Sequence, residues 1–154
     1  MALTAIALMP AVLASCSVDA VTRPEVPIEQ TTFASGLGVD LAASTKTPNG
    51  AYYRDVVVGT GATVTNGQLL SVRYTGYFVD GTVFDSNVSA PTPIQFTLGA
   101  GQVIRGWDEG LAGVKIGSTR QLIIPPSLGY GPYDYLAIPG NSVLVFTVQV
   151  VAAQ

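Results

Sequence analysis

The alternation of side chains over residues 70–78 constrains the fold of this chain more than any other feature. One face carries Val72, Tyr74, Gly76 and Phe78, and the other carries Ser71, Arg73, Thr75 and Tyr77. A period of two residues is that of a strand, so the segment predicts a half-buried antiparallel strand. The Asp80-Gly81 pair follows directly, and Asp-Gly is typical of a tight hairpin turn. We therefore expect the chain to reverse here and to return through Val83 and Phe84.

Three further segments predict strands. Residues 52–58 end at Gly59, residues 120–124 end at Pro125, and residues 143–151 alternate with a period of two. Only residues 105–112 favour a helix, since Trp107 recurs with Leu111 and Val114 at helical spacing. One short helix cannot cover both faces of a large sheet. The predicted fold class is therefore α+β: a curved antiparallel β-sheet wrapped over one short α-helix, within residues 50–154.

Composition removes several classes of function. The chain has no histidine, which excludes Ser-His-Asp and Cys-His nucleophilic systems and histidine metal sites. A net charge of −3 and the lack of any run of lysine or arginine exclude a nucleic-acid binder. We expect no metal and no cofactor. Any chemistry must then use carboxylates, hydroxyls, backbone amides or the shape of a pocket.

The first fifteen residues are uncharged and mostly apolar, and they are fewer than the roughly 20 residues that a membrane-spanning helix needs. This pattern is typical of a secretory signal peptide, predicted here as residues 1–15. It ends in Leu13-Ala14-Ser15-Cys16, which resembles the lipobox of bacterial lipoproteins, whose cysteine carries lipid. The alternative is an uncleaved apolar N-terminus that matches the lipobox by chance.

Residues 16–49 contain several prolines and no sustained period, which predicts a flexible tether from a lipid on Cys16 to the folded domain. The lipobox resemblance implies a protein anchored in the bacterial cell envelope. An outer membrane, with the domain facing the periplasm, is the expected place.

Four separated segments of residues 50–154 resemble counterparts in the FKBP family of peptidyl-prolyl isomerases, in the same order and at similar spacing. They are residues 72–86, with VRYTGY, DG and FDS; 96–110, with FTLG and VIRGWDEG; 124–131, with IPP and YG; and 138–146, with IP and LVF. The resemblance implies an enzyme that rotates Xaa-Pro peptide bonds and assists the folding of exported proteins. It also implies binding of proline-containing polypeptides and macrolide inhibitors by a monomer.

The resemblance implies the site residues as well. A substrate proline ring would rest on Trp107, while the Ile104 amide and the Tyr130 hydroxyl would donate to substrate carbonyls. Asp85 would supply a fixed charge that orients the twisted carbonyl and the Tyr74 hydroxyl. The implied catalytic residues are Asp85, Tyr130 and Phe84, and the implied substrate-binding residues are Tyr74, Phe84, Phe96, Val103, Ile104, Trp107, Ile138 and Phe146.

The chain departs from the family at the rim of this pocket. Gln102 stands where many relatives have glutamate, so one peripheral hydrogen bond to ligand would be neutral. The loop after Tyr130 lacks a histidine that relatives often carry, and we expect Tyr133 or Tyr135 to close over the substrate instead. Gly140 replaces a frequent second proline, which favours greater mobility in that loop.

Two other functions remain open from the sequence. One is a non-catalytic, chaperone-like module that binds proline-containing or unfolded segments. The other is a structural domain whose pocket is filled by its own side chains. Taken alone, Trp107 and the phenylalanines are ordinary core residues, and a lone Asp85 is an ordinary solvated charge. Only their combination points to a site.

Overall fold

A computed structural model describes residues 23–154. The predicted signal peptide, residues 1–15, and Cys16 lie outside the described residues. Seven antiparallel strands form one curved sheet in the order β1-β2-β6-β7-β3-β4, with β5 paired to β3 as well. The strands are β1 (Thr45–Lys46), β2 (Tyr52–Val57), β3 (Leu69–Phe78), β4 (Val83–Ser86), β5 (Ile94–Thr97), β6 (Thr119–Ile124) and β7 (Leu144–Ala153). The antiparallel pairing confirms the predicted α+β fold.

The described chain has one α-helix, α1 (Arg105–Gly110), and short 3-10 turns at Ile28–Gln30, Ser35–Leu37 and Pro126–Leu128. Helix α1 packs on one side of the sheet, which we call the helix face. Apolar side chains of the central strands bury themselves there with Trp107 and Leu111. Gly106 allows the close approach, because a Cβ at this position would lie 2.6 Å from Ile124.

Arg120 ties the helix to the sheet from inside. Its guanidinium binds the Asp55 carboxylate through Nε and Nη2, at 2.6 and 2.8 Å, and stacks over the Tyr53 ring at 4.5 Å. The remaining nitrogen, Nη1, donates to the Gly110 and Ala112 carbonyls at the end of α1. Arg120 is only 4% exposed, and a buried charge is costly unless it is paired and hydrogen-bonded. The contacts with Asp55 and the helix carbonyls meet this need.

The hairpin at Asp80-Gly81 forms with a three-residue loop. Phe78 donates to the Thr82 carbonyl at 2.8 Å, and Gly81 takes a positive φ of 89°. Asp80 has no positive φ; its carboxylate accepts the Thr82 amide instead, at 2.8 Å. The register shifts by one residue between Gly76 and Tyr77, so the turn combines a bulge with a left-handed glycine.

The opposite side of the sheet, which we call the outer face, is also covered. Leu122, Ile123 and Ile124 are consecutive in β6 and all fully buried, which requires cover on both faces. The cover comes from residues 28–46, here named the strap. Its apolar side chains pack on Tyr52, Ile123, Val143 and Val145, and they are Ile28, Phe33, Leu37, Val39 and Leu41.

Polar contacts fix the strap in place. Gln121 and Arg54 of the sheet donate to the Leu37 and Gly38 carbonyls, both at 2.7 Å. The Glu29 carboxylate accepts from the Tyr52 hydroxyl at 2.5 Å and from the Lys46 ammonium at 2.6 Å. The prediction of a free tether is therefore wrong for residues 28–46, because the outer face is apolar and this segment buries it. Within residues 23–154, no helix has the length and hydrophobicity needed to cross a membrane.

Candidate active site

A cavity of about 380 Å³ opens on the helix face beside the start of α1. Most of the predicted site residues line it, namely Tyr74, Asp85, Val103, Ile104, Trp107, Tyr130 and Phe146. The other predicted residues, Phe84, Phe96 and Ile138, pack in the apolar core behind this lining. The structure therefore brings the predicted set together, but only part of it faces the cavity.

Trp107 is the centre of the aromatic lining. Its ring meets the Phe146 ring edge-on at 5.4 Å and 90°, and the Tyr74 ring at 5.1 Å and 81°. Phe96 adds a tilted contact at 5.7 Å. Edge-to-face packing of this kind is favourable for aromatic rings. The indole nitrogen is buried without a hydrogen-bond partner in the described chain, so packing alone holds the ring.

Phe84 supports the lining from behind. Its ring lies edge-on to Phe146 at 5.5 Å and tilted against Phe78 at 5.0 Å. Gly76 makes room for this pair, because a Cβ there would lie 2.6 Å from Phe84 and 2.9 Å from Phe146. Gly76 is thus required by the site, whereas the alternation along the strand predicts only that it lies on the same face as Tyr74.

Asp85 and Tyr74 form the charged corner of the cavity. They lie on neighbouring strands, with Asp85 opposite Gly76 in the register of β3 and β4. The Tyr74 hydroxyl donates to Asp85 Oδ2 at 2.5 Å. Burial, followed by this hydrogen bond and the Asp85 charge, raises the pKa of Tyr74. Tyr74 therefore remains a protonated donor to the Asp85 carboxylate at the edge of an apolar pocket.

Two hydrogen-bond donors beside the cavity have no acceptor within residues 23–154. The Ile104 amide precedes α1, where the backbone is still extended, with φ −60° and ψ 145°. The Tyr130 hydroxyl is carried by the loop after β6 and also lines the cavity. Burial and then the Asp85 charge raise the pKa of Tyr130, so it too keeps its proton. Both donors are available to carbonyl groups of a ligand.

The loop that carries Ile104 is held by side chains. Asp108 accepts the amides of Gly99 and Gly101 at 2.8 and 3.1 Å, and both glycines have positive φ. Gln102 accepts the Thr97 amide at 2.8 Å through its Oε1. The Gln102 side chain is therefore engaged within the loop itself through its carbonyl oxygen.

The rim after Tyr130 differs from expectation. Tyr135 stacks on Tyr130 at 4.9 Å and 18°, whereas Tyr133 is 69% exposed. Gly140 is buried, and a Cβ there would lie 2.1 Å from the Pro132 carbonyl oxygen. A close approach of two backbone segments therefore explains Gly140, while greater mobility of this loop stays a prediction.

Sequence reasoning missed Ile94 as a lining residue. The available signal was the period of two along β5, which places Ile94 on the same face as Phe96. A larger cavity of about 450 Å³ lies between Arg23, Phe78 and Pro139, next to the start of the strap, but Phe78 is the one aromatic residue that the described chain places in its lining. Residues 23–154 contain no cluster of three or more side chains able to bind a metal ion.

Comparison with known proteins decides the family. The model of the FKBP-type peptidyl-prolyl cis-trans isomerase domain matches residues 61–151. The chain belongs to the FKBP family. The crystal structure of AtFKBP13 superposes with a TM-score of 0.66 at 34% identity, and the match covers 72% of this chain and 98% of AtFKBP13.

Two curated FKBP relatives are more similar in sequence. FK506-binding protein 4 of Rhizopus delemar is 47% identical over 112 residues, which are 70% of this chain and 28% of that protein. FK506-binding protein 2 of Dictyostelium discoideum is 49% identical over 87 residues, which are 56% of this chain and 65% of that protein. The matched part thus spans less than two thirds of either relative.

These relatives overturn the predicted location. Both come from eukaryotic organisms and are FK506-binding proteins. The prediction of a location in the bacterial cell envelope, in an outer membrane facing the periplasm, is therefore wrong. It depended on the apolar first fifteen residues and on a lipobox match of four residues that ends at Cys16, which is short enough to occur by chance.

Proposed function

We propose that this chain catalyses cis-trans rotation about Xaa-Pro peptide bonds in polypeptides, with the proline ring resting on Trp107. One observation carries the proposal: a cavity walled by Trp107, Tyr74 and Phe146 also receives a carboxylate and two free donors. The cavity is open, so its own side chains do not fill it. This argues against a purely structural domain.

The residue types fit the energetics of the rotation. Twisting an amide breaks its resonance, which accounts for a barrier of about 18–20 kcal/mol. Water stabilises the planar, dipolar amide best, so a dry aromatic pocket favours the twisted form relative to the planar one. No nucleophile, metal or cofactor takes part in this step.

The polar groups have separate tasks in the proposed mechanism. The Ile104 amide and the Tyr130 hydroxyl bind substrate carbonyls and so hold the polypeptide on both sides of the proline. Asp85 fixes the Tyr74 hydroxyl and places a negative charge near the rotating carbonyl, whose dipole turns during the reaction. Phe84 acts by supporting Phe146.

Exchange NMR on an Xaa-Pro peptide tests the activity. The full chain should accelerate cis-trans interconversion in proportion to its concentration, and Asp85→Ala should be slower. Asp80→Ala removes an exposed carboxylate of the hairpin and serves as the matched control, with the rate of the wild type. Wild-type protein that leaves the interconversion rate unchanged would contradict the proposal.

An exposed apolar side chain in the loop after Tyr130 favours a second candidate function, holding of unfolded segments without turnover. Leu136 is 91% exposed. Under this alternative, Asp85→Ala would still suppress aggregation of an unfolded client, whereas Leu136→Ser would not. An Asp85→Ala variant that loses turnover but suppresses aggregation as well as the wild type would separate the two functions.

Macrolide binding and a monomeric state belong to the same proposal. The open pocket supports binding of a macrolide of the rapamycin type, which would change the fluorescence of Trp107, the one tryptophan of the chain. Unchanged fluorescence at saturating macrolide would contradict an open pocket. Light scattering tests the monomer. Lipid on Cys16 remains a prediction from sequence alone, and labelled palmitate retained by Cys16→Ala would contradict it.

A further inference from the structure

The loop between Tyr130 and Ile138 is folded into a tight hairpin beside the cavity. Tyr135 and Ile138 exchange both backbone hydrogen bonds at 2.9 Å, so Leu136 and Ala137 form a two-residue turn. Leu136 has a φ of 52°, which is unfavourable for a leucine, and its side chain is 91% exposed. The turn therefore does not bury Leu136. Its backbone hydrogen bonds fix the position of Tyr135, the residue before the turn.

The base of the hairpin is closed by further bonds. Asp134 Oδ1 accepts the Gly140 amide at 2.8 Å, and the Asn141 amide donates to the Gly131 carbonyl at 2.9 Å. These bonds hold residues 140–141, at the end of the loop, against residues 131–134 at its beginning. Tyr135 consequently projects from a backbone that is hydrogen-bonded on both sides.

The backbone around Tyr130 is fixed, whereas its side chain makes no hydrogen bond. The Gly129 and Gly131 amides, on either side of it, both donate to the Pro126 carbonyl, at 3.0 and 2.9 Å. Tyr130 is 36% exposed, and its hydroxyl has no hydrogen-bond partner within residues 23–154. The ring contact that orients it is the stack with Tyr135, at 4.9 Å between centroids and 18° between planes.

We propose that Tyr135 is a positioning residue, which holds the Tyr130 hydroxyl over the cavity before a substrate carbonyl arrives. The inference rests on the proposed isomerase function and names a determinant of substrate affinity in the same site. A donor that is already oriented loses less conformational freedom when the substrate binds. Since the bonded carbonyl is present in the ground state and in the transition state, the effect falls on KM and leaves kcat nearly unchanged.

The test compares Tyr135→Ala, Tyr135→Phe and Tyr133→Ala in the full chain, in wild-type and Tyr130→Phe backgrounds. Tyr135→Ala should raise KM about three- to tenfold, the range that one aromatic pair supports, with kcat within about twofold. Tyr135→Phe keeps the ring and should behave as the wild type. Tyr133→Ala, which removes an exposed tyrosine of the same loop, should also leave KM unchanged.

The double variant shows whether Tyr135 changes KM through Tyr130. In the Tyr130→Phe background, Tyr135→Ala should cost nothing more, because the hydroxyl that it positions is absent. An equal KM increase in both backgrounds would overturn the proposal and mean that Tyr135 touches the substrate itself. A KM for Tyr135→Ala equal to that of Tyr133→Ala would overturn it as well.

A measurement on the free protein separates this inference from the function on which it rests. The stacked Tyr135 ring should displace the NMR shifts of the Tyr130 ring protons, and Tyr135→Ala should abolish that displacement while Tyr133→Ala preserves it. Unchanged Tyr130 shifts in Tyr135→Ala would overturn the positioning role even if the enzyme is active. Absence of wild-type turnover with the shift change present would instead overturn the proposed function and, with it, the KM effect.

Discussion

The two faces of the sheet are both apolar, yet they are closed in different ways. The outer face is covered by the strap, a segment of the same chain whose Ile28 is only 3% exposed. The helix face is covered by α1, which has only six residues and leaves a cavity beside Trp107. The comparison shows that the long strap buries the outer face and stabilises the fold, whereas the short helix α1 leaves aromatic surface open to a ligand.

The polar groups follow the same division. On the outer face, Glu29 is satisfied by Lys46 and Tyr52 within the fold. On the helix face, the Ile104 amide and the Tyr130 hydroxyl remain without partners in the described chain. Substitutions on the outer face should therefore change stability alone, and those on the helix face should change activity.

The largest expected effect comes from Trp107→Ala. Removing a buried tryptophan costs about 3–5 kcal/mol of unfolding free energy and also removes the surface for the proline ring. Urea unfolding and exchange NMR should show loss of both stability and turnover. Trp107→Phe keeps an aromatic ring and should lose less of each. Full turnover in folded Trp107→Ala would break the assignment of the helix face.

Ile28→Ala tests the outer face. A buried isoleucine truncated to alanine costs about 2–5 kcal/mol, so the denaturation midpoint should fall while kcat/KM of the folded protein stays that of the wild type. Val26→Ala, at a position 43% exposed, is the control and should change neither. A stability equal to the wild type would mean that the strap does not cover the sheet in solution.

Asp85→Asn tests the helix face by changing activity without changing stability. It keeps an acceptor for the Tyr74 hydroxyl but removes the negative charge near the rotating carbonyl. A charged partner contributes about 1 kcal/mol more than a neutral one, which predicts about fivefold lower kcat/KM. Because Asp85 is exposed, the melting temperature should hardly move. A drop in stability without loss of turnover would reverse the roles given to the two faces.

The smallest effect is the pH dependence of the strap. Hydrogen bonds from Lys46 and Tyr52 lower the pKa of Glu29 from an ordinary 4.5 to about 2. A lowered carboxyl pKa stabilises the fold above pH 4.5, and this contribution is lost as the pH falls towards 2. The difference in melting temperature between wild type and Glu29→Gln should therefore be small and present at pH 6, and vanish near pH 2. A difference independent of pH would contradict the assignment.

The sequence predicted the helix face well because its signals are periodic. Alternation along β3 and the helical spacing of Trp107 and Leu111 located the elements, and the FKBP resemblance located the pocket. The strap was missed because Ile28, Phe33 and Leu37 follow no fixed period; they bury themselves only once the outer face of the sheet exists. A local sequence pattern cannot predict that a segment packs on a surface formed by residues distant in the sequence.

The rim was predictable only in part. The sequence indicated that Tyr133 or Tyr135 replaces a family histidine, but it could not decide between closure over the substrate and stacking on Tyr130. That choice depends on the turn at Leu136, whose positive φ is atypical of leucine and carries no sequence signal. Gly76 and Gly140 were likewise visible as glycines, whereas the rings and backbone that need their space are distant in sequence.

One titration tests the central claim most directly. An Xaa-Pro peptide added to isotope-labelled full chain should shift and broaden the Trp107 indole and Ile104 amide signals first. The signals of Ile28 and Tyr52 on the outer face should stay unchanged. Perturbations centred on the strap, or none at either face at saturating peptide, would contradict the account that the helix face is the binding and catalytic side of this protein.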